Sequence, residues 1–281
     1  MTSTHQVALG PGTVTKTYVD WRRGEHLREW AALKVLSAAT VDLVPEPLEF
    51  DAARPAVVMS RVPGRALGGC LSAREMAGLR VALGELWAVP AVGLEAIDLS
   101  GLIERVRREL GGWVGVGVVG EAQAAAVSWL GGPAVEALVD PEVPVVGHGD
   151  PNLANYLWDG KRVRIVDFED AGRSDLAVEL ANLVEHLASR ATDWAGFLAR
   201  HPTEALQPAD AWQPTDGRQP VDARHPVDAR HPVDAARLLD ARRLWAAFWL
   251  TLIRPGGPSA DRNPPGTAES QAARLLGLLS S

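Results

Sequence analysis

The segment Val143–Asp170 constrains this chain more than any other. An apolar run, Val143-Pro144-Val145-Val146-Gly147, ends in the polar loop His148-Gly149-Asp150-Pro151-Asn152-Leu153-Ala154-Asn155. Two β-prone runs follow, Asn155–Trp158 and Lys161–Val166, separated by Asp159-Gly160, a strong two-residue hairpin signal. The second run ends in Asp167-Phe168-Glu169-Asp170. A two-residue turn pairs Asn155 with Arg164, which leaves Asp167 roughly 10 Å further along its strand. Asn155 and Asp167 therefore emerge at the same end of one hairpin, and a modest bend brings both to one site.

Upstream, the first sixty residues read as strand, turn, strand, helix, strand. Gln6–Leu9 and Thr13–Val19 flank Gly10-Pro11-Gly12, which predicts a hairpin. Val14, Lys16 and Tyr18 share one face of the second strand by the period-two rule. A helix over about 24–37 places Glu29 on the same stripe as Ala32, Leu33 and Leu36, which faces the core. A lysine and a glutamate are thus both aimed inward, and buried charges are costly unless paired. The economical reading is a Lys16–Glu29 ion pair. Glu25, one turn earlier, is the alternative partner, and a third reading puts Lys16 on an edge strand with its head in solvent. Ala56–Ser60 reads as a further strand, and Arg61-Val62-Pro63-Gly64 as a hinge.

These pieces suit one kind of chemistry. Phosphoryl transfer from a nucleotide needs a carboxylate to orient the acceptor hydroxyl and take its proton, and oxygen ligands for the Mg²⁺ that bridges the phosphates. Asp150 followed five residues later by Asn155 supplies both types on one loop, a spacing shared with kinase catalytic loops. Asp167 adds a second oxygen ligand from the hairpin.

Beyond the hinge the pattern turns helical. Ser72 and Glu75 make a capping box for a helix ending near Trp87, and further helices are expected at 99–110, 121–130, 133–139, 235–253 and 267–279. Leu176, Leu180, Leu183, Val184 and Leu187 predict a long amphipathic helix after the hairpin. Residues 207–236 are a tandem repeat, QPADAW-QPTDGR-QPVDAR-HPVDAR-HPVDAA. Proline at every sixth position forbids a continuous helix, so an extended, solvated insertion is expected. His225, His231 and the repeated aspartates offer no fixed coordination geometry for a metal.

The formal charge is -7, yet residues 1–64 balance at 7 basic against 7 acidic, so the acidic excess lies wholly beyond residue 64. That balance argues against nucleic acid and acidic membranes as partners and favours cationic or neutral ones. One cysteine, Cys70, excludes an internal disulfide, and the chain shows neither a leader-like start nor the ~18 apolar residues of a membrane span. A reducing cytoplasm is the expected compartment.

The strings VVGHGDPNLANYLWDG and VRIVDFEDAGRSDLAVELANL resemble the aminoglycoside phosphotransferase and choline-kinase-like family of small-molecule kinases, with the likeness covering most of residues 45–200. The resemblance implies an α+β, bilobal protein-kinase-like fold with a short β-rich N-lobe over 1–62 and a mainly helical C-lobe over 63–281. It implies Asp150 as catalytic base and Asn155 and Asp167 as Mg²⁺ ligands. It further implies that Lys16 contacts the α/β-phosphates of ATP or GTP with Glu29 as its partner, and that the Ser60-Arg61-Val62 backbone meets the purine. Asp175 and His148 are expected to brace the catalytic loop. Family members carry a further strand and a glycine-containing phosphate-covering loop ahead of the lysine strand. Here fifteen residues precede Lys16, and Gly10-Pro11-Gly12 joins the preceding strand to the lysine strand instead. The implied activity is phosphorylation of a hydroxyl on a small molecule, such as an aminoglycoside or another cationic antibiotic, choline, an amino alcohol, a sugar or a ketosamine. Glu179 and Glu185 are candidates for binding its amines, or else lie on a solvated helix face. A non-catalytic kinase-like binding protein is the reading from another class.

Overall fold

Gly12 turns the chain back on itself at φ 88°, a left-handed conformation open to glycine. Around it β1 (His5–Leu9) and β2 (Thr13–Tyr18) pair antiparallel, Leu9 against Val14 and His5 against Tyr18. The structure, a computed structural model, describes residues 5–51, 53–198 and 233–281. β3 (Pro47–Asp51) and β4 (Ala56–Ser60) complete a four-stranded sheet in the order β1-β2-β4-β3. Sequence reasoning missed β3, whose first residue is a proline; an edge strand tolerates one because no ladder hydrogen bond is lost to the outside. α1 (Glu25–Ala39) lies against this sheet and buries Glu29, Ala32, Leu33 and Leu36, the expected stripe.

The chain then passes through β5 (Arg65–Ala66) into α2 (Ala73–Trp87). Ser72 and Glu75 cap α2 reciprocally, as the sequence predicts. α3 (Leu99–Gly111), α4 (Gly117–Leu130) and a short α5 (Pro133–Glu136) lead to β6 (Pro144–Gly147). β7 (Tyr156–Trp158) and β8 (Val163–Ile165) form the expected hairpin, and β5 adds to its outer edge. β9 (Gly172–Asp175) pairs antiparallel with β6. α6 (Leu176–Glu185), α7 (Ala195–Leu198), α8 (Ala235–Ile253) and α9 (Thr267–Leu279) follow. Among the described residues no helix is long and apolar enough to cross a membrane.

The hairpin register differs from the expected one. Trp158 pairs with Val163, so the loop holds four residues and Asn155 meets Val166 rather than Arg164. The cause is Asp159, whose side chain accepts from the N–H groups of Lys161 (2.8 Å) and Arg162 (2.9 Å) and closes a wider turn than Asp-Gly alone would. The shift places Asn155 beside the residue that precedes Asp167.

Two apolar cores meet at α6. One runs from the N-terminal sheet through α2 to β6 and β8, and the other joins α3, α4, α8 and α9. All ten residues of α6 are buried, so it is a central helix rather than the one-sided amphipathic helix its leucines suggest. Its polar residues are buried because each has a partner. Glu179 accepts from the His148 N–H (2.9 Å), and the Asn182 amide donates to the Gly149 carbonyl (3.1 Å). Glu185 receives Arg242 Nε at 2.8 Å and the Arg274 guanidinium. Glu179 and Glu185 are thus buried and engaged by groups of the protein itself, which corrects the solvated-face reading. Glu185→Ala should leave two guanidiniums without their shared carboxylate and destabilise the protein by about 2–3 kcal/mol. Urea unfolding reads that loss, and an unchanged midpoint would contradict it.

Most of the expected insertion at 207–236 lies outside the described residues. Of its last four residues Val233 is buried, while Asp234, Ala235 and Ala236 are exposed as expected but not extended: Asp234 caps α8 through the Arg237 N–H (2.7 Å), and Ala235 and Ala236 open the helix.

Candidate active site

Lys16 projects from the middle of β2, an interior strand, and is 4% exposed. Its ammonium lies 3.0 Å from Glu29 Oε2 and 2.8 Å from Glu169 Oε2, and it donates to Asp167 Oδ1. The expected Lys16–Glu29 pair is therefore present, while Glu25 pairs instead with Arg23 at 2.8 Å. Glu29 also accepts from the Tyr18 hydroxyl and from the Phe168 N–H (3.2 Å). Burial alone would lower the Lys16 pKa, but Glu29 and Asp167 outweigh it and hold it above the ordinary lysine value. Burial pushes Glu29 up to about 7 against the pull of Lys16, because Asp167 and Glu169 share the same cation.

Next to Glu29, Arg28 Nε donates to the Glu169 carbonyl at 2.9 Å. α1 thus grips the Asp167–Asp170 segment twice. Asp167 itself sits at φ 72°, an uncommon conformation for a residue with a side chain. It is held on both sides, by the Val166 N–H donating to the Asn155 carbonyl (2.9 Å) and by the Phe168 N–H donating to Glu29.

The loop after β6 brings Asp150 to the same place. Asn155 Nδ2 donates to the Asp150 carbonyl at 3.0 Å and lies 3.4 Å from its Oδ2. His186 Nε2 lies 3.4 Å from Oδ1. Burial raises the Asp150 pKa, but the His186 hydrogen bond and the nearby His148 and Asn155 more than reverse it, so the carboxyl sits below its ordinary value. Gly149 makes the loop possible: at φ 82°, a Cβ there would lie 2.2 Å from the Asp170 carbonyl oxygen. His148 is buried, as a bracing residue should be. Its Nε2 is 2.9 Å from the Val166 carbonyl, and its ring centroid is 4.9 Å from that of Phe168.

A cavity of about 380 Å³ lies between the sheet and the hairpin. Lys16, Glu29, Asn155 and Asp167 line one end, and Met59, Ser60, Arg61 and Val62 the other. Val7 and Leu9, which are exposed, and Val14 form its roof. At the hinge, the Ser60 N–H donates to the Glu46 carbonyl (2.8 Å) and the Arg61 N–H to the Gly12 carbonyl (2.9 Å). Among the described residues the Val62 N–H has no such partner. A second cavity of about 410 Å³, between α2 and the β7–β8 hairpin, contains none of these groups.

One bracing residue is misplaced by the sequence reading. Asp175 lies at the far end of the β6–β9 pair from His148, where it accepts from the N–H groups of Glu142 (2.8 Å) and Val143 (3.1 Å) and bridges to Arg237 (3.2 Å). The loop after β6 is held instead by Glu179, Asn182 and His186. Sequence reasoning also missed Arg28 and Glu169 in the cluster. Glu169, two residues after Asp167, had a period-two signal for facing the same way; His186 had no local signal.

The phosphotransferase enzyme family model, APH, matches residues 19–221, which include Asp150, Asn155 and Asp167 but begin after Lys16. No curated protein matches the sequence. Among solved structures, a choline/ethanolamine kinase family protein from Mesorhizobium loti is similar at 19% identity and a TM-score of 0.65, over 99% of this chain and 86% of that one. Choline kinase LicA from Streptococcus pneumoniae is similar at 14% identity and a TM-score of 0.60, over 100% and 90%. The gentamicin complex of APH(2")-IIa is similar at 13% identity and a TM-score of 0.57, over 99% and 88%. These likenesses are of fold, the bilobal protein-kinase-like arrangement of a strand-rich N-terminal part and a helical remainder. With the family model spanning most of its length, the chain belongs to the phosphotransferase enzyme family.

Proposed function

We propose that this phosphotransferase moves the γ-phosphoryl group of ATP or GTP to a hydroxyl of an amine-bearing small molecule. The observation that carries the reading is the convergence of Lys16, Asn155 and Asp167 on one cavity, with Asp150 hydrogen-bonded to Asn155 at its edge. Asp150, ionised at neutral pH, orients the acceptor hydroxyl and takes its proton as the oxygen–phosphorus bond forms and the nucleoside diphosphate leaves. Lys16 binds the α/β-phosphates and Glu29 fixes its position. The purine lies under Val7, Leu9 and Val14, with the Val62 N–H as the hinge donor.

Asn155 and Asp167 suit Mg²⁺ by their donor chemistry, which is hard oxygen. The Asn155 Nδ2 is turned to Asp150, which leaves its Oδ1 for the metal. When bound, Mg²⁺ neutralises charge on the transferring phosphates.

The preference for an amine rests on charge. Asp170, 48% exposed, stands against Gly149 beside Asp150, and the acidic excess of the chain lies after residue 64. Similar folds include a choline kinase and a gentamicin complex, so amino alcohols and aminoglycosides are the first acceptors to try. The single cysteine, exposed and free, suits a cytoplasmic compartment.

A labelled-phosphate screen with ATP and GTP against aminoglycosides, amino alcohols, sugars and ketosamines tests the reading. In parallel, MgADP at about a hundredfold its Kd should stabilise the protein by about 2.7 kcal/mol, and Asp167→Ala should lose that gain. A wild-type protein that gains nothing from MgADP is a kinase-like binding protein of another kind, and the proposal falls.

A further inference from the structure

We propose that His186 is the positioning residue of Asp150, its neutral ring donating from Nε2 to Oδ1 and so fixing the direction in which the carboxylate meets the acceptor. The inference rests on the phosphotransfer reading for its consequence, but the contact itself stands on geometry. α6 ends at Glu185, and His186 caps the short turn Leu187–Ser189. In that role its Nδ1 accepts from the Ala188 N–H at 3.1 Å. A ring nitrogen that accepts a backbone N–H carries no proton of its own, so the neutral imidazole has its hydrogen on Nε2. Nε2 faces Asp150 Oδ1 at 3.4 Å.

Three separate elements hold the ring. The turn fixes the tautomer, α6 fixes the depth, and Trp249 of α8 packs edge-on against the imidazole with centroids 4.6 Å apart and planes at 78°. His186 is 5% exposed, so it has little freedom to turn away. Asn155 approaches the other carboxylate oxygen, Oδ2, at 3.4 Å. Each oxygen of Asp150 therefore faces its own nitrogen, one from the loop after β6 and one from the end of α6. Both contacts have the length common to catalytic hydrogen bonds before substrate tightens them. Capping the turn uses Nδ1 alone, so the Nε2–Asp150 contact is not a by-product of the cap. A reacting group displaced by about 1 Å loses on the order of a hundredfold in rate, which is the effect a freely rotating carboxylate would have.

His186→Leu and His186→Gln separate the donor from the packing, because both lose the imidazole and its cap while only Gln can donate to Asp150. With MgATP and water as acceptor, His186→Leu should lower kcat about 10–100-fold with KM for MgATP changed less than about threefold. His186→Gln should keep kcat within about threefold of wild type. In an Asp150→Asn background, His186→Leu should add no further loss. Nitrogen NMR of histidine-labelled wild type, which needs no turnover, should show His186 protonated at Nε2 and its signal moved by Asp150→Asn. Protonation at Nδ1, equal losses in the Leu and Gln variants, or a loss that multiplies with Asp150→Asn would each overturn the role. MgADP stabilisation is read alongside: its absence from wild type counts against phosphotransfer itself, and its absence only from the variants counts against a role confined to Asp150.

Discussion

Asp150→Asn is expected to lower phosphoryl transfer by about 10²–10⁴-fold while MgADP affinity changes by less than about threefold. The asymmetry comes from where the side chain acts. Asn155 keeps its donation to the residue-150 carbonyl at 3.0 Å, because that bond goes to the backbone. Lys16, Asp167 and the hinge, which line the cavity proposed for the nucleotide, are untouched. What disappears is the carboxylate proposed to take the incoming hydroxyl's proton, and with it the anion that faces His186. Single-turnover transfer and calorimetric MgADP binding separate the two effects. A variant that retains half the wild-type turnover would remove Asp150 from the base role, and one that loses MgADP binding would place it in the nucleotide site instead.

Some of this site was legible because burying a charge is expensive. Lys16 and Glu29 were each on a core-facing stripe, and only their pairing makes two inward charges tolerable. The hairpin was legible as an element but not in register. Asp159-Gly160 marked the turn, yet the capping power of the Asp159 carboxylate, which widened it, depends on the backbone of Lys161 and Arg162. α6 was misread for a different reason. Its leucines repeat as a surface helix's would, and the partners that bury its polar side come from far away in sequence: Arg242 and Arg274 stand 57 and 89 residues beyond Glu185. No local pattern carries such information. The same holds for His186, whose imidazole gains a meaning only when the loop after β6 folds back over α6.

Lys16→Met is the change expected to affect stability most, about 3–5 kcal/mol at about pH 8.5. Methionine keeps most of the length of the side chain and removes its charge. Glu29, 1% exposed, then faces Asp167 and Glu169 with no cation between them. Burial already pushes the Glu29 carboxyl up to about 7 beside Lys16, and without Lys16 it must rise further. Between about 7 and that higher value the folded variant binds a proton that the folded wild type does not. A proton held only by the folded state makes stability fall as pH rises, by about 1.4 kcal/mol for each pH unit. The variant's deficit should therefore narrow as the pH is lowered from about 8.5 to about 6 and grow on return. Wild type keeps its lysine charged throughout that window, because Lys16 is raised above an already high ordinary value and its contribution is lost only as the pH climbs past it. Glu29→Gln in the same chain should recover most of the loss, since the amide needs no counter-ion, its oxygen in the place of Oε1 accepts from the Phe168 N–H, and its NH2 in the place of Oε2 donates to the Tyr18 hydroxyl oxygen. Urea unfolding at both pH values checks all three statements. A deficit that does not change with pH, or a double variant no better than Lys16→Met, would mean that the buried carboxylate is not what Lys16 compensates.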